Sequence, residues 1–317
     1  GFIGANLCRA LRAEPWVEQV VVVDDFSSGR RENLADLSGV EVVEGSVLDS
    51  SLLETVVNGA EAVVHLAARP SVPRSLEDPL ATHEVNATGT LRVLEAARTT
   101  SRAHVLVASS SSVYGDNRAL PAREDTVALP VSPYAASKLA AEAYGLAYAR
   151  SFALPVAVFR FFNVFGPLQR ADHAYAAVVP AFVSAALAGE PLSVHGDGRQ
   201  TRDFTFVDDV VKLLVAALLR GISTPTAVNL AFGGRSSILE LIGRLEDVLG
   251  HPVSVRHGAP RRGDVRDSQA DQSRLRALFP EATPVPLVDG LRATVAWYRS
   301  VSSGVGHGPE VPARRVG

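Results

Sequence analysis

The amino-acid sequence predicts an α/β protein built on a doubly wound parallel sheet, because two patterns alternate along its first half. Short runs of β-branched residues alternate with amphipathic stretches of helical length as far as about residue 165. The runs are continuously apolar, which is typical of parallel strands covered by helices on both faces. After Gly166 this rhythm weakens and Pro and Gly become frequent. We therefore expect a Rossmann-type sheet and a smaller mixed α/β domain.

Each predicted element follows from the composition of its segment. Runs dominated by valine and other apolar residues are long enough to be strands. These strands are expected at residues 20–23, 40–43, 62–65, 104–108 and 156–159. The stretches between them have apolar side chains at helical spacing. These helices are expected at residues 5–12, 51–57, 83–98 and 135–152.

The beginning of the chain departs from this order, since the first predicted strand follows a helix. In a doubly wound sheet the opening strand is central. The 317 residues contain no Met, so we expect residues upstream of Gly1 to supply this strand and the first glycine of a nucleotide-binding turn.

Composition and charge favour a soluble enzyme or binding protein. Of the residues, 47% are hydrophobic and 21% are charged, and the formal net charge is -3 with the signs scattered. This balance argues against a nucleic-acid partner or a membrane surface, and no apolar run has the length of a membrane span. A single Cys excludes a disulfide framework. We expect a cytoplasmic protein without a bound metal.

The opening segment "GFIGANL" is a helix start punctuated by glycines. Gly1 and Gly4 allow the close approach of a diphosphate to the positive end of a helix, although two glycines also suit an ordinary helix start. The strand that follows ends in Asp24, where a carboxylate accepts hydrogen bonds from both ribose hydroxyls and repels a 2'-phosphate. Together these signals predict an NAD site and favour NAD over NADP.

The segment "SPYAASKLAAE" carries Tyr134 and Lys138 four residues apart, and therefore on one face of a helix. Lysine is so rare in this chain that a chance pairing of this kind is improbable. A lysine ammonium and a bound nicotinamide cation both favour phenolate over phenol. Tyr134 is therefore a candidate base for a substrate hydroxyl.

An apolar strand runs directly into a serine cluster in the segment "VLVASSSSVYGD". The carboxyl end of a buried parallel strand is where open α/β sheets place their ligands. We expect Ser110 and Ser111 to face a substrate, although a serine cluster alone is also typical of a turn.

We expect two domains whose segments interleave. The predicted NAD-binding domain comprises residues 1–165 and about 202–232, since an apolar helix with Asp208 and Asp209 as its expected cap returns there. The predicted nucleotide-sugar-binding domain comprises about 166–201 and 233–300. Residues 301–317 are rich in Gly and Pro and are expected to form a disordered tail.

Several segments carry a family resemblance in combination. They are "GFIG", "VVVVDD", "HLAA", "SSSSVYG", "YAASK", "RFFNVFGP" and "GDGRQTRDFTFVDDVV". From Gly1 to about Tyr298 the chain resembles an extended short-chain dehydrogenase/reductase of the NAD-dependent nucleotide-sugar epimerase/dehydratase group. It looks most like the UDP-N-acetylglucosamine/UDP-glucose 4-epimerases. The resemblance implies an NAD cofactor, a UDP-sugar substrate, and a homodimer joined through the helices that carry Tyr134 and residues 87–98.

The resemblance also implies roles for individual residues. Ser110 would hydrogen-bond the sugar 4-hydroxyl, Tyr134 would be the base, and Lys138 would orient the nicotinamide ribose. The residues expected at the cofactor are Gly1, Phe2, Ile3, Gly4, Asp24, Ser46, Val47, Leu66, Ala67, Ala68, Asn86, Tyr134 and Lys138. The residues expected at the substrate are Ser71, Arg74, Ser111, Asn163, Gln169, Arg202, Arg261 and Ser268. The two arginines Arg202 and Arg261 suit a diphosphate, because a guanidinium binds it in a fork.

The same resemblance favours one reaction over its relatives. Dehydratases of the group carry an Asp-Glu pair where Ser111 and Ser112 stand, and without that pair water elimination lacks its proton donor and base. Ser268 matches the gate of the sugar pocket, and its small side chain leaves room for a 2-acetamido group. We therefore expect 4-epimerisation of UDP-hexoses, with or without N-acetylation. A dehydratase, a 4-reductase, a uronate epimerase, a non-catalytic NAD(H)-binding sensor and a structural subunit remain as alternatives.

Overall fold

The computed structural model describes residues 1–117, 119–172, 176–260 and 265–304. Its strands are β1 (Val20–Asp24), β2 (Val40–Glu44), β3 (Ala62–His65), β4 (His104–Ser110), β5 (Val156–Phe161), β6 (Val164–Phe165), β7 (Leu192–His195), β8 (Thr201–Arg202), β9 (Thr205–Phe206), β10 (Val228–Leu230), β11 (Ser236–Ser237) and β12 (Val255–Gly258).

The helices lie between and beyond these strands. They are α1 (Phe2–Ala13), α2 (Ser50–Val57), α3 (Val72–Glu77), α4 (Pro79–His83), α5 (Gly89–Thr99), α6 (Pro133–Phe152), α7 (Val178–Leu187), α8 (Val207–Leu219), α9 (Ile238–Leu249), α10 (Ser273–Leu278) and α11 (Leu287–Gly304). Short 3-10 helices span Arg31–Leu34 and Ser111–Tyr114, and a π-helical turn, Glu84–Thr88, joins α4 to α5. Within the described ranges, no helix is long and apolar enough to cross a membrane.

The large parallel strands form two sheets. β1 pairs with β2, and a four-stranded sheet has the order β10-β5-β4-β3. Every pairing in these two sheets is parallel. In the described part of the chain, β1 and β3 belong to separate sheets. The parallel strands with intervening helices confirm the predicted α/β fold of Rossmann type. The expected upstream strand stays a prediction.

Helices cover both faces of the four-stranded sheet, as the apolar strands require. Val105 and Val107 of β4 belong to a buried cluster with residues of α5, and the intervening Leu106 belongs to a cluster with α1 and α8. Successive side chains of a strand point to opposite faces, so β4 must be apolar throughout to sit between two helical layers. The polar ends of β4 and β5 are thereby held at one edge of a rigid sheet.

The second half of the chain adds a smaller unit that shares the core of the sheet. β7 pairs in parallel with β12, and α9 and α11 pack against each other. Leu192 and Leu245 belong to the same buried cluster as Phe159 of β5. The core therefore continues without a break from the sheet into this unit.

Three local expectations differ from the structure. The helix expected at 83–98 is interrupted by the π-helical turn Glu84–Thr88, and α5 begins only at Gly89. Asp208 and Asp209 do not cap α8, whose N-cap is Phe206; buried Asp209 instead accepts a hydrogen bond of 3.0 Å from the Val285 N–H. α11 runs to Gly304, past the expected start of the tail at residue 301, and residues 305–317 lie outside the described residues.

Candidate active site

The start of α1 meets the end of β1 at the edge of the sheet. The Gly1 nitrogen lies 2.9 Å from the Asp24 carboxylate, which accepts a hydrogen bond of 2.8 Å from the Phe26 N–H. α1 has no side-chain cap, and the N–H groups of its first turn have no partner within the helix. These N–H groups suit a diphosphate and the carboxylate suits a ribose diol, so the residues fit NAD.

The loop after β1 contributes a glycine that sequence reasoning missed. A Cβ on Gly29 would lie 2.9 Å from the Gly1 nitrogen and 3.1 Å from Asp24 Oδ2. Only a residue without a side chain therefore lets this loop approach the carboxylate so closely. The sequence shows a glycine in a turn-rich loop, and nothing in that pattern indicates the contact with Asp24.

The remaining residues predicted at the cofactor lie around this helix start or beneath it. A Cβ on Gly4 would lie 3.8 Å from Leu66 Cδ1, so the segment of Leu66, Ala67 and Ala68 that follows β3 runs beside α1. Phe2 and Ile3 pack against the core. Val47 is buried, and Ser46 Oγ accepts a hydrogen bond of 3.1 Å from the Leu48 N–H. Val47 belongs to a buried cluster with Leu53 and Val93, and its place at the cofactor stays a prediction.

Asn86, which is predicted at the cofactor, is hydrogen-bonded within the protein. Its Oδ1 accepts a hydrogen bond of 2.7 Å from the Arg69 N–H, and its Nδ2 donates to Arg69 O at 3.2 Å and to Ser137 Oγ at 2.9 Å. Asn86 therefore joins the segment after β3 to α6. A direct contact between Asn86 and the cofactor stays a prediction.

Tyr134, Lys138 and Ser110 come together where β4 ends against the first two turns of α6. The buried Lys138 Nζ donates a hydrogen bond of 2.9 Å to Ala108 O of β4. The Tyr134 side chain is hydrogen-bonded to the Ser110 hydroxyl. Ser132 fixes the start of α6, since its side chain accepts a hydrogen bond of 3.1 Å from the Ala135 N–H. The end of β4 and the start of α6 thereby position all three predicted catalytic residues.

Burial changes the acidity of this group of residues. It lowers the pKa of Lys138 to about 8, because the ammonium loses its hydration. It raises the pKa of Tyr134, and the hydrogen bond with Ser110 opposes that rise. Tyr134 is therefore a phenol that needs a nearby positive charge to lose its proton near neutral pH.

The serine cluster forms a local network of hydroxyls. Ser110 Oγ accepts hydrogen bonds from the Ser112 N–H at 3.2 Å and from Ser112 Oγ at 2.9 Å. Ser111 opens the 3-10 helix that follows β4. Hydroxyl groups thus occupy the two positions after Ser110, so these positions offer no carboxylate for acid or base chemistry.

A cavity of about 230 Å³ lies between β6, α7, β7 and β8, and its walls combine apolar side chains with a few polar groups. Its lining includes Asn163, Val178, Ser193, His195, Gln200, Arg202 and Phe204. The sequence predicted Asn163 and Arg202 but missed Ser193 and His195. The available signal was the alternation of apolar and polar residues in "LSVH", which places polar side chains on one side of β7.

Arg202 and Ser268 lie on neighbouring segments at the edge of this cavity. Arg202 Nη1 donates hydrogen bonds to Thr201 O at 2.9 Å and to Arg266 O at 3.0 Å, and the Ser268 N–H donates to Thr201 O at 3.1 Å. The backbone around Ser268 is thereby fixed to β8. Arg261, the second predicted phosphate ligand, lies outside the described residues.

The other predicted substrate residues have local partners. Ser71 caps α3, and its Oγ accepts a hydrogen bond of 3.4 Å from the N–H of Arg74. Gln169 Nε2 donates to Val164 O at 3.4 Å, and its buried Oε1 has no hydrogen-bond partner among the described residues. Gln169 is not among the residues that line the cavity. Roles for these three residues in binding substrate stay predictions.

Within the described ranges, no group of three or more His, Cys, Asp or Glu side chains is placed to bind a metal ion.

Comparison with known proteins establishes the family. Residues 1–231 match the family described as "NAD dependent epimerase/dehydratase family". The chain belongs to this family, and NAD is its cofactor. It is 38% identical over 311 residues to the UDP-glucose 4-epimerase of Mycolicibacterium smegmatis, covering 95% of this chain and 97% of that protein.

Solved structures of the family are similar over almost the whole chain. The UDP-N-acetylglucosamine 4-epimerase from Methanobrevibacter ruminantium M1, in complex with UDP-N-acetylmuramic acid, has a TM-score of 0.89 at 34% identity, covering 95% of this chain and 96% of that one. DesIV, a dTDP-glucose 4,6-dehydratase from Streptomyces venezuelae solved with NAD bound, has a TM-score of 0.88 at 31% identity, covering 96% of each chain. The resemblance to extended short-chain dehydrogenases/reductases is confirmed. Because these relatives perform different reactions, the reaction must be argued from the residues of this site.

Proposed function

We propose that the protein catalyses NAD-dependent 4-epimerisation of a UDP-hexose through a transient 4-keto sugar. The observation that carries this proposal is the assembly of Ser110, Tyr134 and Lys138 at the carboxyl edge of the sheet. Open α/β sheets bind their ligands at this edge. The substrates that we favour are UDP-GlcNAc/UDP-GalNAc and UDP-Glc/UDP-Gal.

Tyr134, Ser110 and Lys138 have different roles in the transfer of one proton. Tyr134 removes the proton of the sugar 4-hydroxyl and later returns it, while Ser110 holds the same oxygen by a hydrogen bond. The Lys138 ammonium stabilises the phenolate electrostatically. NAD, when bound, supplies the acceptance and return of hydride at C4. Arg202 and the polar groups of the cavity hold the nucleotide diphosphate, so the keto sugar can present its opposite face without leaving.

Two features favour epimerisation over dehydration. Ser111 and Ser112 follow the catalytic serine at the positions where dehydratases of the group carry an Asp-Glu pair, so loss of water has no dedicated acid and base there. The epimerases of Mycolicibacterium smegmatis and Methanobrevibacter ruminantium are also similar to this chain along nearly its full length. Asn163 favours a neutral hexose over a uronic acid, since UDP-glucuronate 4-epimerases typically carry Thr there.

The preferred sugar is the finer part of the proposal. Ser268 lies on a segment fixed to β8 at the edge of the cavity, and its short side chain leaves space for a 2-acetamido group. A difference in pocket size of this kind changes preference by roughly 10- to 200-fold. We therefore propose that both N-acetylated and plain hexoses are accepted, with the N-acetylated sugar preferred.

The test is incubation of the protein and NAD with UDP-GlcNAc, UDP-Glc and UDP-GlcA, followed by NMR and mass analysis of the sugars. Epimerisation conserves mass and inverts C4, whereas dehydration loses water. We expect the Tyr134→Phe variant to lose activity by about 100- to 10,000-fold, since it removes the proton acceptor. The matched control is Tyr144→Phe on the exposed surface of the same helix, which should retain full activity.

Three outcomes would contradict the proposal. A product lighter by one water would indicate a dehydratase. NAD binding without turnover of any of the three sugars would indicate a sensor. A Tyr134→Phe variant as active as wild type would exclude Tyr134 as the base.

A further inference from the structure

A buried ion pair lies directly behind the candidate catalytic residues. Glu142 of α6 and Arg160 of β5 are each only 5% exposed. Arg160 Nε donates to Glu142 Oε2 at 3.0 Å and Nη2 donates to Oε1 at 2.6 Å, a forked pairing that fixes both side chains. Two buried charges are costly to desolvate, so their presence here calls for a role other than simple packing.

The pair connects α6 to the two central strands, β4 and β5, close to the ends that carry the candidate catalytic residues. Ser109 and Arg160 are direct partners on β4 and β5, and Ser109 Oγ donates to Glu142 Oε2 at 2.9 Å. One residue earlier on β4, Ala108 O accepts the hydrogen bond of Lys138 Nζ. Consecutive residues of β4 therefore hold consecutive turns of α6, one through Lys138 and the next through Glu142.

Arg160 is itself fixed from its other side. Its guanidinium lies 4.7 Å from the centroid of the Tyr114 ring, and Tyr114 OH donates to Asn229 Oδ1 at 2.6 Å. Arg160 Nη1 also donates to Glu124 O at 3.4 Å. Arg160 is thus linked to the 3-10 helix that follows Ser110 and, through Tyr114, to β10. These contacts hold the guanidinium in place if α6 shifts.

The charge arrangement is unusual for a helix. Residues four apart on one face, such as Lys138 and Glu142, ordinarily pair with each other. Here both oxygens of Glu142 are engaged by Arg160 and Ser109, while Lys138 donates to the backbone of β4. The carboxylate nearest to Lys138 along the helix is therefore neutralised by another cation.

We propose that the Glu142–Arg160 pair is a positioning element for Lys138, which anchors α6 to β4 and β5 and prevents Glu142 from capturing the Lys138 ammonium. This inference rests on the proposed function only in that Lys138 serves Tyr134 there. Neither Glu142 nor Arg160 touches the reacting atoms. They act through the place and the charge state of Lys138.

Among the described residues, few ionisable groups other than Glu142 and Arg160 lie around Lys138 and could change its protonation state. From β3, His65 is buried and uncharged, because burial and the nearby Lys138 lower its pKa to about 3. From α6 itself the neighbouring groups are Tyr134 and Glu142. The 3-10 helix adds Tyr114, whose pKa is raised by burial to about 12.

The remaining elements packed against α6 carry charges that are exposed or paired elsewhere. On α3, α4 and the π-helical turn, Glu77, His83 and Glu84 are exposed, and Arg74 of α3 is half-buried. On α5, Glu95 pairs with Arg98, and Arg92 donates to Leu48 O. His104 lies at the opposite end of β4, against Ile222 O.

The test uses the rarity of lysine in this chain. Lys138 and Lys212 are its two lysines, so protein labelled with 13C at the lysine ε-carbon gives two resonances, and Lys212 on the exposed side of α8 is an internal reference. The pKa of Lys138 is read from the titration of its resonance without any substrate. The readout is therefore independent of which sugar, if any, is turned over.

The two single variants should move this pKa in opposite directions. Glu142→Gln leaves the permanently charged Arg160 unpaired near Lys138, which should lower the pKa of Lys138 by on the order of one pH unit. Arg160→Gln leaves an unneutralised carboxylate one helical turn away, which should raise that pKa by a similar amount. The double variant Glu142→Gln/Arg160→Gln should return the pKa near the wild-type value. Arg160→Lys keeps the charge and should rescue most of the effect.

A purely structural pair would give a different pattern. It would make both single variants less stable and leave the pKa of Lys138 unchanged, as we expect for Arg292→Gln in the exposed Arg292–Asp289 pair. The proposal is overturned if the pKa of Lys138 is the same in all variants, or if both single variants move it in the same direction. If either single variant fails to fold, the other single variant and the double variant still decide the question. Where turnover is observed, the pH dependence of kcat should shift in the same direction as the pKa, with little change in KM.

Discussion

At the scale of single residues, the buried charge of Lys138 is needed for the proposed activity but lowers the free energy of unfolding. Burial lowers its pKa from 10.5 to about 8, so the charged form is destabilised in the folded state. We expect Lys138→Met to abolish activity and yet raise the free energy of unfolding by about 1 to 2 kcal/mol near neutral pH, after allowing for the lost hydrogen bond to Ala108 O. Denaturant titration of both proteins measures this difference.

The pH dependence of that difference has a defined sign. Below about pH 8 the lysine is protonated in both the folded and the unfolded state, and the cost of burying its charge is fully present. As the pH rises from about 8 toward 10.5, the folded state loses its proton first, so wild type gains stability relative to Lys138→Met. Lys212→Met, on an exposed position, should change stability by less than about 0.5 kcal/mol. A Lys138→Met variant that is less stable than wild type near pH 7 would show that the hydrogen bond outweighs the burial.

Residue-level prediction was most direct where residues are close in sequence. The spacing of Tyr134 and Lys138 predicted one helix face, and both lie on α6, whereas their catalytic roles stay predictions. Arg160 and Glu142 lie 18 residues apart on a strand and a helix, and only the pairing of β4 with β5 and the packing of α6 bring them into contact. Gly29 was missed for the same reason, because its constraint comes from a chain segment that folds back onto it.

At the scale of elements, the π-helical turn Glu84–Thr88 deserves a functional test, because it presents Asn86 to two neighbouring segments. Asn86→Ala leaves buried partners on Arg69 and Ser137 without their hydrogen bonds. We expect the free energy of unfolding to fall by about 1 to 3 kcal/mol. We also expect weaker NAD binding by calorimetry, since the segment Leu66 to Ala68 loses its attachment to α6. The matched control is Asn58→Ala at the end of α2, which should alter neither property. Unchanged NAD affinity in a destabilised Asn86→Ala protein would restrict Asn86 to a structural role.

Whole strands were predicted more completely than the substrate side of the site. β3 has the predicted bounds, and β4 extends only two residues further, to Ser110, because continuous apolar runs leave few alternatives to a buried parallel strand. The cavity is different, since its walls come from β6, α7, β7 and β8, which are short and have no distinct periodicity. Its shape depends on how these segments pack. The family resemblance predicted Asn163 and Arg202, whereas Ser193 and His195 were missed because the alternation in "LSVH" is only four residues long.

At the scale of the whole molecule, an aromatic stripe on α6 bears on assembly. Tyr144, Tyr148 and Phe152 are spaced four apart and therefore lie on one helix face. Tyr144 is 40% exposed and Phe152 is 43% exposed. Tyr148 OH donates to Glu95 of α5 at 2.8 Å, and Arg98 of α5 lies 4.9 Å from the centre of the Phe152 ring. α5 and α6 thus form one surface that combines apolar rings with a charged pair, the composition that favours a self-complementary interface.

The family resemblance implies a homodimer in which α5 and α6 of both chains form a four-helix bundle, and we expect this surface to pair there with its copy about a two-fold axis. In such an arrangement each change at the interface occurs twice, so replacing Tyr144 and Phe152 with Asp places four carboxylates in an apolar contact. The double variant Tyr144→Asp/Phe152→Asp should therefore be monomeric at concentrations where wild type is dimeric, as measured by light scattering during size-exclusion chromatography. Leu239→Asp on α9 is the matched control, because Leu239 is also 43% exposed but lies on another helix, and it should leave the dimer intact. A wild-type chain that is monomeric at micromolar concentration, or a double variant that remains dimeric, would exclude this surface as the interface. NAD binding should persist in the monomeric variant, since the Asp24 groove and Lys138 are formed by residues of a single chain.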